Sequence, residues 1–306
     1  MANLLVVGSM NMDIYLRVKR HPQIGETVRA IHSNFASGGK GANQAVSAAR
    51  LGASVAMIGA VGDDVFGSEL RNKYAALGID VAGVVVKEGM PTGIALITLN
   101  AAGENSIVVN PGANFVLTAD DVRVKGEKFQ SIDGVILQNE IPASTNAAVF
   151  TRALELGIPI FYNPSPIEEY AIEFCAKSDY IVVNEYEATL LTGQTVEDDE
   201  SGFCAAKLLL QGNVKAVVIT RGEHGALCMT AQSESFVVPA MKVQVVDTTG
   251  AGDTFMGAFA AAVTEQLSLE KSLRFAVTAS ALSVTSAGAQ SSMPHRSEVL
   301  SVLRNE

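Results

Sequence analysis

Apolar positions along this chain follow two rhythms. Short unbroken runs at Leu4 to Val7, Ser54 to Ile58, Val135 to Leu137, Ile158 to Tyr162, Tyr180 to Val183 and Ala216 to Thr220 read as strands buried on both faces. Helical spacing marks Gln44 to Leu51, Phe66 to Leu77, Thr145 to Leu156, Glu185 to Thr192 and Asp199 to Leu210. Strands and helices in this alternation imply a mostly parallel sheet with helices on both faces, an α/β architecture. The second rhythm alternates apolar with polar, over Ile14 to Val18, part of Thr27 to Ile31, Thr92 to Leu99 and Ser106 to Val109. One solvated face per strand predicts a small antiparallel sheet standing off the main one, formed by about 13–37 and 92–110. After Asp247 the pattern is helical: Ala251 to Glu265, Leu269 to about Ser286, and Ser297 to Leu303. No internal repeat or low-complexity linker divides the chain, which is expected to form a single domain over 1–306.

Composition narrows the class. The 306 residues are 48% hydrophobic and 18% charged, enough apolar material for a large core. The formal net charge of −10 disfavours a nucleic-acid partner, because a phosphate backbone asks for a basic face. A small anion can still bind in a local pocket. Three widely spaced cysteines, Cys175, Cys204 and Cys228, fit reduced thiols better than a disulfide framework or a zinc site. No apolar run approaches the length of a membrane helix, and the first residues lack the basic flank of a signal peptide, so a cytoplasmic setting and no membrane partner are expected.

The candidate chemistry concentrates in Val245 to Phe255. Two β-branched residues end a strand pattern, Thr248 to Gly252 offer a glycine-containing turn, and a helix pattern runs on from there. Amides at a helix N-terminus lack intrahelical partners, and the helix dipole favours negative charge at that end. Asp253 sits inside this electropositive mouth, where a carboxylate suits a base that deprotonates a nucleophile attacking phosphate. Taken alone, an acid in a first turn reads as a cap. Two common phosphate motifs are excluded. Phe255 is too large for the third small residue of a dinucleotide fingerprint, and Asn34 stands where a P-loop leading to Gly39-Lys40 needs its first glycine. A second glycine-rich stretch, Ser37-Gly38-Gly39-Lys40-Gly41-Ala42-Asn43, precedes another helix, with Lys40 and Asn43 as added donors. Polar residues follow several strands: Asn11 and Asp13, Glu140, Asn163, Asn184 and Glu187, and Thr220 with Gly222. Each could be turn chemistry; together, on one rim, they suggest a composite ligand site.

These pieces resemble the ribokinase-type (PfkB-like) carbohydrate kinases. The resemblance runs from Gly8-Ser9-Met10-Asn11-Met12-Asp13 to the tail beyond Gly288. It is carried by Gly38-Gly39-Lys40-Gly41-Ala42-Asn43 and by Asp247-Thr248-Thr249-Gly250-Ala251-Gly252-Asp253-Thr254. It implies ATP-dependent phosphorylation of a sugar's primary hydroxyl. Asp253 would be the base, and the amides of Ala251, Gly252 and Asp253 the anion hole. Asn11, Asp13, Gly39, Lys40, Asn43 and Glu140 match sugar-binding positions. Asn184 and Glu187 match the Asn-x-x-Glu pattern tied to phosphate and Mg²⁺, and Thr220, Gly222 and Gly225 match the nucleotide loop. Val277 matches a position beside the adenine, where relatives often carry His or Asn. Asp247, Thr249, Ser283, Ser286, Gly288 and Ser292 match positions that hold a monovalent cation, usually K⁺, largely through carbonyls. The alternating segments would be the family's β lid, which also often pairs two subunits as a homodimer. Relatives preferring 2-deoxyribose tend to carry Met where Asn11 stands, so the resemblance implies D-ribose, phosphorylated at O5. The alternatives are a sibling kinase for deoxyribose, fructose or a nucleoside, and a non-catalytic sugar-binding protein on the same fold.

Overall fold

A computed structural model describes residues 2–102 and 104–305. Met1, Gly103 and Glu306, and with them both ends of the expected 1–306 unit, lie outside the described residues. In chain order the strands are β1 (Asn3–Val7), β2 (Asn11–Arg17), β3 (His32–Gly38), β4 (Ser54–Gly62), β5 (Asp80–Lys87), β6 (Gly93–Leu99), β7 (Asn105–Asn110), β8 (Gly134–Leu137), β9 (Ile160–Tyr162), β10 (Tyr180–Asn184), β11 (Ala216–Thr220), β12 (Ala226–Thr230) and β13 (Ser235–Val238). The α-helices are α1 (Lys40–Arg50), α2 (Val65–Ala76), α3 (Ala119–Val124), α4 (Ala143–Leu156), α5 (Ala171–Lys177), α6 (Glu185–Thr192), α7 (Asp199–Leu209), α8 (Ala251–Thr264), α9 (Leu269–Ser283), α10 (Ala289–Ser292) and α11 (Arg296–Asn305).

The main sheet has the order β13-β12-β11-β10-β9-β8-β1-β4-β5. From β11 to β5 every pairing is parallel. Successive side chains of a strand point to opposite faces, so both faces of this sheet need cover. Leu4 and Val6 join one core with Val46 of α1, Phe259 of α8 and Ala276 of α9. Leu5 and Val7 join the other, with Val149 and Phe150 of α4 and Ala205 of α7. This explains why the β1 run is apolar at every position. Burying each such side chain stabilises the fold by about 1.5–3 kcal/mol before conformational entropy is counted.

Three strands of the main sheet escape the sequence pattern. β5 is interrupted by Ala82-Gly83, which reads as a turn; a Cβ on Gly83 would lie 2.5 Å from the Met57 carbonyl oxygen, so close strand approach requires the glycine. β12 and β13 are short and add to the β11 edge as an antiparallel hairpin. The expected strand at Val245-Val246 does not form. Both side chains are exposed and sit in an irregular segment, tied only by the Val246 and Asp247 amides donating to the Val284 carbonyl. Nor is Thr27 to Ile31 a strand; the pairing starts at His32 and runs into the glycines through Gly38.

The small sheet has the order β3-β2-β6-β7. Its two outer pairings are antiparallel, as the alternation predicts, but β2 and β6 run parallel. The reason is topological: β2 follows β1 and β6 follows β5, both leaving the same end of parallel strands. Phe35, Ile107, Val108 and Val109 are exposed on this sheet.

Candidate active site

Parallel register brings the carboxyl ends of β1, β8, β9, β10 and β11 to one rim. The polar residues after these strands therefore converge, although long sequence intervals separate them. A cleft of about 260 Å³ there is lined by Lys40, Asn163, Asn184, Glu187, Thr220, Thr248 and the start of α8. A larger cavity of about 610 Å³ adjoins it, sharing Thr220, Thr248, Ala251 and Gly252. Its wall is mainly apolar, with Phe255, Val277, Ala281 and Val284, and Gly222 and Gly225 at its edge. Gly225 has φ +86, and a Cβ there would meet the Val238 carbonyl oxygen at 2.0 Å, so this turn admits only glycine.

The amino end of α8 faces the cleft. Gly250 precedes it with φ 77 and no side chain caps the helix. The Ala251 amide donates to the Thr248 carbonyl at 3.2 Å. Among the described residues, the amides of Gly252 and Asp253 have no acceptor, and the space beside the Gly252 Cα is open. Of the three amides expected to form the anion hole, that of Ala251 is engaged by the turn here and those of Gly252 and Asp253 are free donors among the described residues.

Asp253 is 7% exposed and held from both sides. Its Oδ2 accepts from the Asn43 amide at 2.9 Å and its Oδ1 from the Gln44 amide at 3.0 Å. α1 comes this close to α8 because Gly257 packs on Ser47, whose hydroxyl donates to the Thr254 carbonyl at 2.8 Å. A Cβ on Gly257 would lie 2.6 Å from Ser47.

The remaining sugar-site candidates stand around this carboxylate. Gly39 has φ +87 and packs so tightly that a Cβ would meet the Asn11 amide at 2.9 Å. Glu140 Oε2 accepts from the Ser9 hydroxyl at 2.5 Å and from the Lys40 amide at 2.9 Å. Asn11 Oδ1 accepts from Asn114 at 2.7 Å, and Asn114 Oδ1 in turn accepts from the Met10 amide at 2.9 Å. Burial, then the charges of Glu140 and Asp253, push the Asp13 carboxyl up to about 7. Burial works to lower the Lys40 ammonium, but the carboxylates of Asp253, Glu140 and Glu187 outweigh it and hold it above its usual value. Lys40 thus holds its positive charge among the carboxylates of Asp253, Glu140 and Glu187.

Asn184 and Glu187 form a capping box on α6, each side chain accepting the other's amide at 2.8 and 2.9 Å. Among the described residues only one Glu187 oxygen is used, so hard oxygen donors remain for a cation at the cleft. Asp247 Oδ1 accepts from Thr249 through both its amide and its hydroxyl, and Oδ2 accepts from the Gly288 amide at 2.8 Å. Burial tends to raise the Asp247 carboxyl, but these bonds, led by the Thr249 hydroxyl, hold it below the usual carboxylate range. The structure therefore ties Asp247, Thr249 and Gly288 together beside α8, where Gly250 packs on Ala289. Ser283 is buried and donates to the Ser280 carbonyl, Ser292 donates to the Ala289 carbonyl, and Ser286 lies exposed in the loop between them. The hydroxyls of Ser283 and Ser292 are spent on backbone oxygens, so a cation beside them would rely on carbonyls.

Sequence reasoning missed Ser9, Gln44, Asn114, Gln138 and Gln290, all buried and hydrogen-bonded into the site. Gln44 and Gln138 neighbour singled-out residues, but amides carry no charge signature; Asn114 and Gln290 have no local signal at all.

A family model described as pfkB family carbohydrate kinase matches residues 1–296. The chain is 40% identical over 303 residues to a ribokinase of Bacillus subtilis, covering 99% of this chain and 100% of that one. It is 38% identical over 302 residues to a ribokinase of Haemophilus influenzae, with 99% and 98% covered. A solved structure of Arabidopsis thaliana ribokinase complexed with ribose and ATP superposes with a TM-score of 0.90 at 36% identity, over 99% of both chains.

Proposed function

This chain belongs to the pfkB family of carbohydrate kinases, and on that premise we propose that it transfers the γ-phosphoryl group of ATP to O5 of D-ribose. It is a phosphotransferase acting on a sugar hydroxyl. The observation that carries the reading is the open start of α8, two unpaired amides beside a buried carboxylate. In phosphoryl transfer little covalent work falls to the protein; positioning and charge stabilisation do most of it.

Asp253 takes the O5 proton as O5 bonds to the γ-phosphorus. The bond from that phosphorus to the β–γ bridging oxygen breaks, and ADP leaves. The amides of Gly252 and Asp253, with the dipole of α8, stabilise the charge on the transferring group. Asn11, Asp13, Gly39, Lys40, Asn43 and Glu140 bind the sugar; fixed donors and acceptors suit a polyol, since a missing hydroxyl leaves buried groups unpaired. The cavity lined by Val277, Gly222 and Gly225 takes the nucleoside, and Thr220 and Asn184 border the phosphates. Mg²⁺ held near Asn184 and Glu187 would offset phosphate charge. K⁺ near Asp247, Thr249, Ser283, Ser286, Gly288 and Ser292 would fix the loop that carries Gly250. The whole chain works as one domain, its small sheet closing over the sugar and pairing two subunits through the face that exposes Ile107 and Val109. Its setting is the cytoplasm.

The test is a panel of pentoses, hexoses and nucleosides with ATP and Mg²⁺. D-ribose is expected to turn over fastest and 2-deoxyribose more slowly, because Asn11 would lose a hydroxyl partner. Ribose left untouched while another acceptor reacts would overturn the substrate assignment.

A further inference from the structure

Both oxygens of Asp253 are gripped by side-chain amides, and each amide is itself held. Asn43 Nδ2 donates to Oδ2 at 2.9 Å while its own Oδ1 accepts from Gln290 at 3.0 Å. Gln44 Nε2 donates to Oδ1 at 3.0 Å while its own Oε1 accepts from Gln138 Nε2 at 2.6 Å. Gln44 and Gln138 are fully buried. A carboxamide has one donor end and one acceptor end, and a flip would turn an oxygen toward the carboxylate. Here the outer amide occupies the oxygen of the inner one, which leaves the inner nitrogen facing Asp253. Two relays, Gln290–Asn43 and Gln138–Gln44, therefore converge on one carboxylate from opposite sides.

We infer that Gln44, kept in orientation by Gln138, is a positioning residue that aims the Asp253 carboxylate at the acceptor hydroxyl. The inference rests on the kinase reading above and adds to it a residue that touches neither substrate. Three observations support it. The carboxylate is nearly excluded from water, so donors must come from the protein. Each oxygen receives one amide, which leaves further acceptor capacity for the hydroxyl proton. Gln44 and Asp253 also sit one helical turn from the Ser47–Gly257 contact, so the packing of α1 on α8 sets their separation.

The experiment compares native protein with Q44M, Q44E and Q138M, reading kcat and KM for D-ribose and ATP, with Tm alongside. Q44M keeps the shape and removes the donor. Its kcat should fall roughly 10²-fold, as for a misaimed catalytic group, with both KM values within about threefold of native. Q44E replaces that donor by an acceptor facing Asp253, so its kcat should fall further than that of Q44M. Q138M should lower kcat by less, with both KM values near native, and it decides the matter should Q44M or Q44E not fold. Native-like kcat in these variants, or losses of kcat that only follow loss of Tm or a rise in KM, would show Gln44 to be packing only and overturn the inference. A native protein inert toward ribose and every other acceptor would instead overturn the kinase reading.

Discussion

Two helices reach this site with their amino ends, and they treat their free amides differently. Both α1 and α8 follow a glycine with positive φ, Gly39 at 87 and Gly250 at 77, and neither has a side-chain cap from its own N-cap residue. Elsewhere Asp64, Thr118, Asn184, Asp198 and Ser268 cap α2, α3, α6, α7 and α9 from within the chain. At α1 the protein supplies its own anion: Glu140 accepts the Lys40 amide, Ser9 Oγ the Gly41 amide, and the Ser9 carbonyl the Ala42 amide at 2.9 Å. At α8 the amides of Gly252 and Asp253 are left for a ligand. A helix start filled from within is braced by the protein's own acceptors, whereas one left open is free to take an anion from outside the chain.

The largest expected effect comes from closing the open mouth. Gly252→Val places a branched side chain in the open space beside Cα and shields the two amides. Its kcat should drop about 10²–10³-fold, as when an oxyanion-hole donor is lost, with Tm essentially that of the native protein. Native-like turnover in this variant would remove the α8 mouth from the mechanism.

Opening the filled mouth should do less to turnover and more to stability. Glu140→Ala strips the acceptor from the Lys40 amide and the Ser9 hydroxyl, at a cost of about 1–3 kcal/mol by thermal or denaturant unfolding. Inorganic sulfate should bind the vacated α1 mouth and restore part of the loss. A variant as stable as native, with no response to sulfate, would show that Glu140 does not fill that mouth.

The smallest effect reports the field shared by the two mouths. The Asp13 carboxyl titrates at about 7 in the fold against 3.8 ordinarily, through burial and the charges of Glu140 and Asp253. The fold thus holds this proton more tightly than the unfolded chain does. Its stabilising contribution is complete below pH 3.8 and is lost as pH rises through about 7. Unfolding of the ligand-free protein between pH 4 and 8 should show this loss as a downward trend, and Asp13→Asn should flatten it. Equal slopes for the two proteins would exclude Asp13 as the source.

Much of this arrangement was legible in the residues. Runs such as Ile181 to Val183, apolar on both strand faces, announced buried parallel strands, and the polar residue after each pointed to the rim. Asp253 and the two glycine-rich stretches stood out because glycine and charge leave local traces. The absence of a Val245-Val246 strand and the turn bond of the Ala251 amide were hidden for a shared reason: two β-branched residues show propensity but no available sheet edge, and a turn motif does not tell which of its amides it consumes. The parallel pairing of β2 with β6 was hidden too, since alternation gives the face of a strand but not its direction relative to a distant partner.

What the residue order determined alone is the set of local preferences: where most of the strands and helices lie, where a glycine turn is favoured, and which acid lies in a helix's first turn. These depend on backbone sterics and on neighbours within a few positions. Which amides remain unpaired, which carboxylates feel one another, and that Gln138 reaches Gln44 across 94 positions and Gln44 reaches Asp253 across 209 were decided only by the tertiary structure. Hydrogen bonds and Coulomb forces act through space, and only the closing of α1 against α8 brings those groups within range.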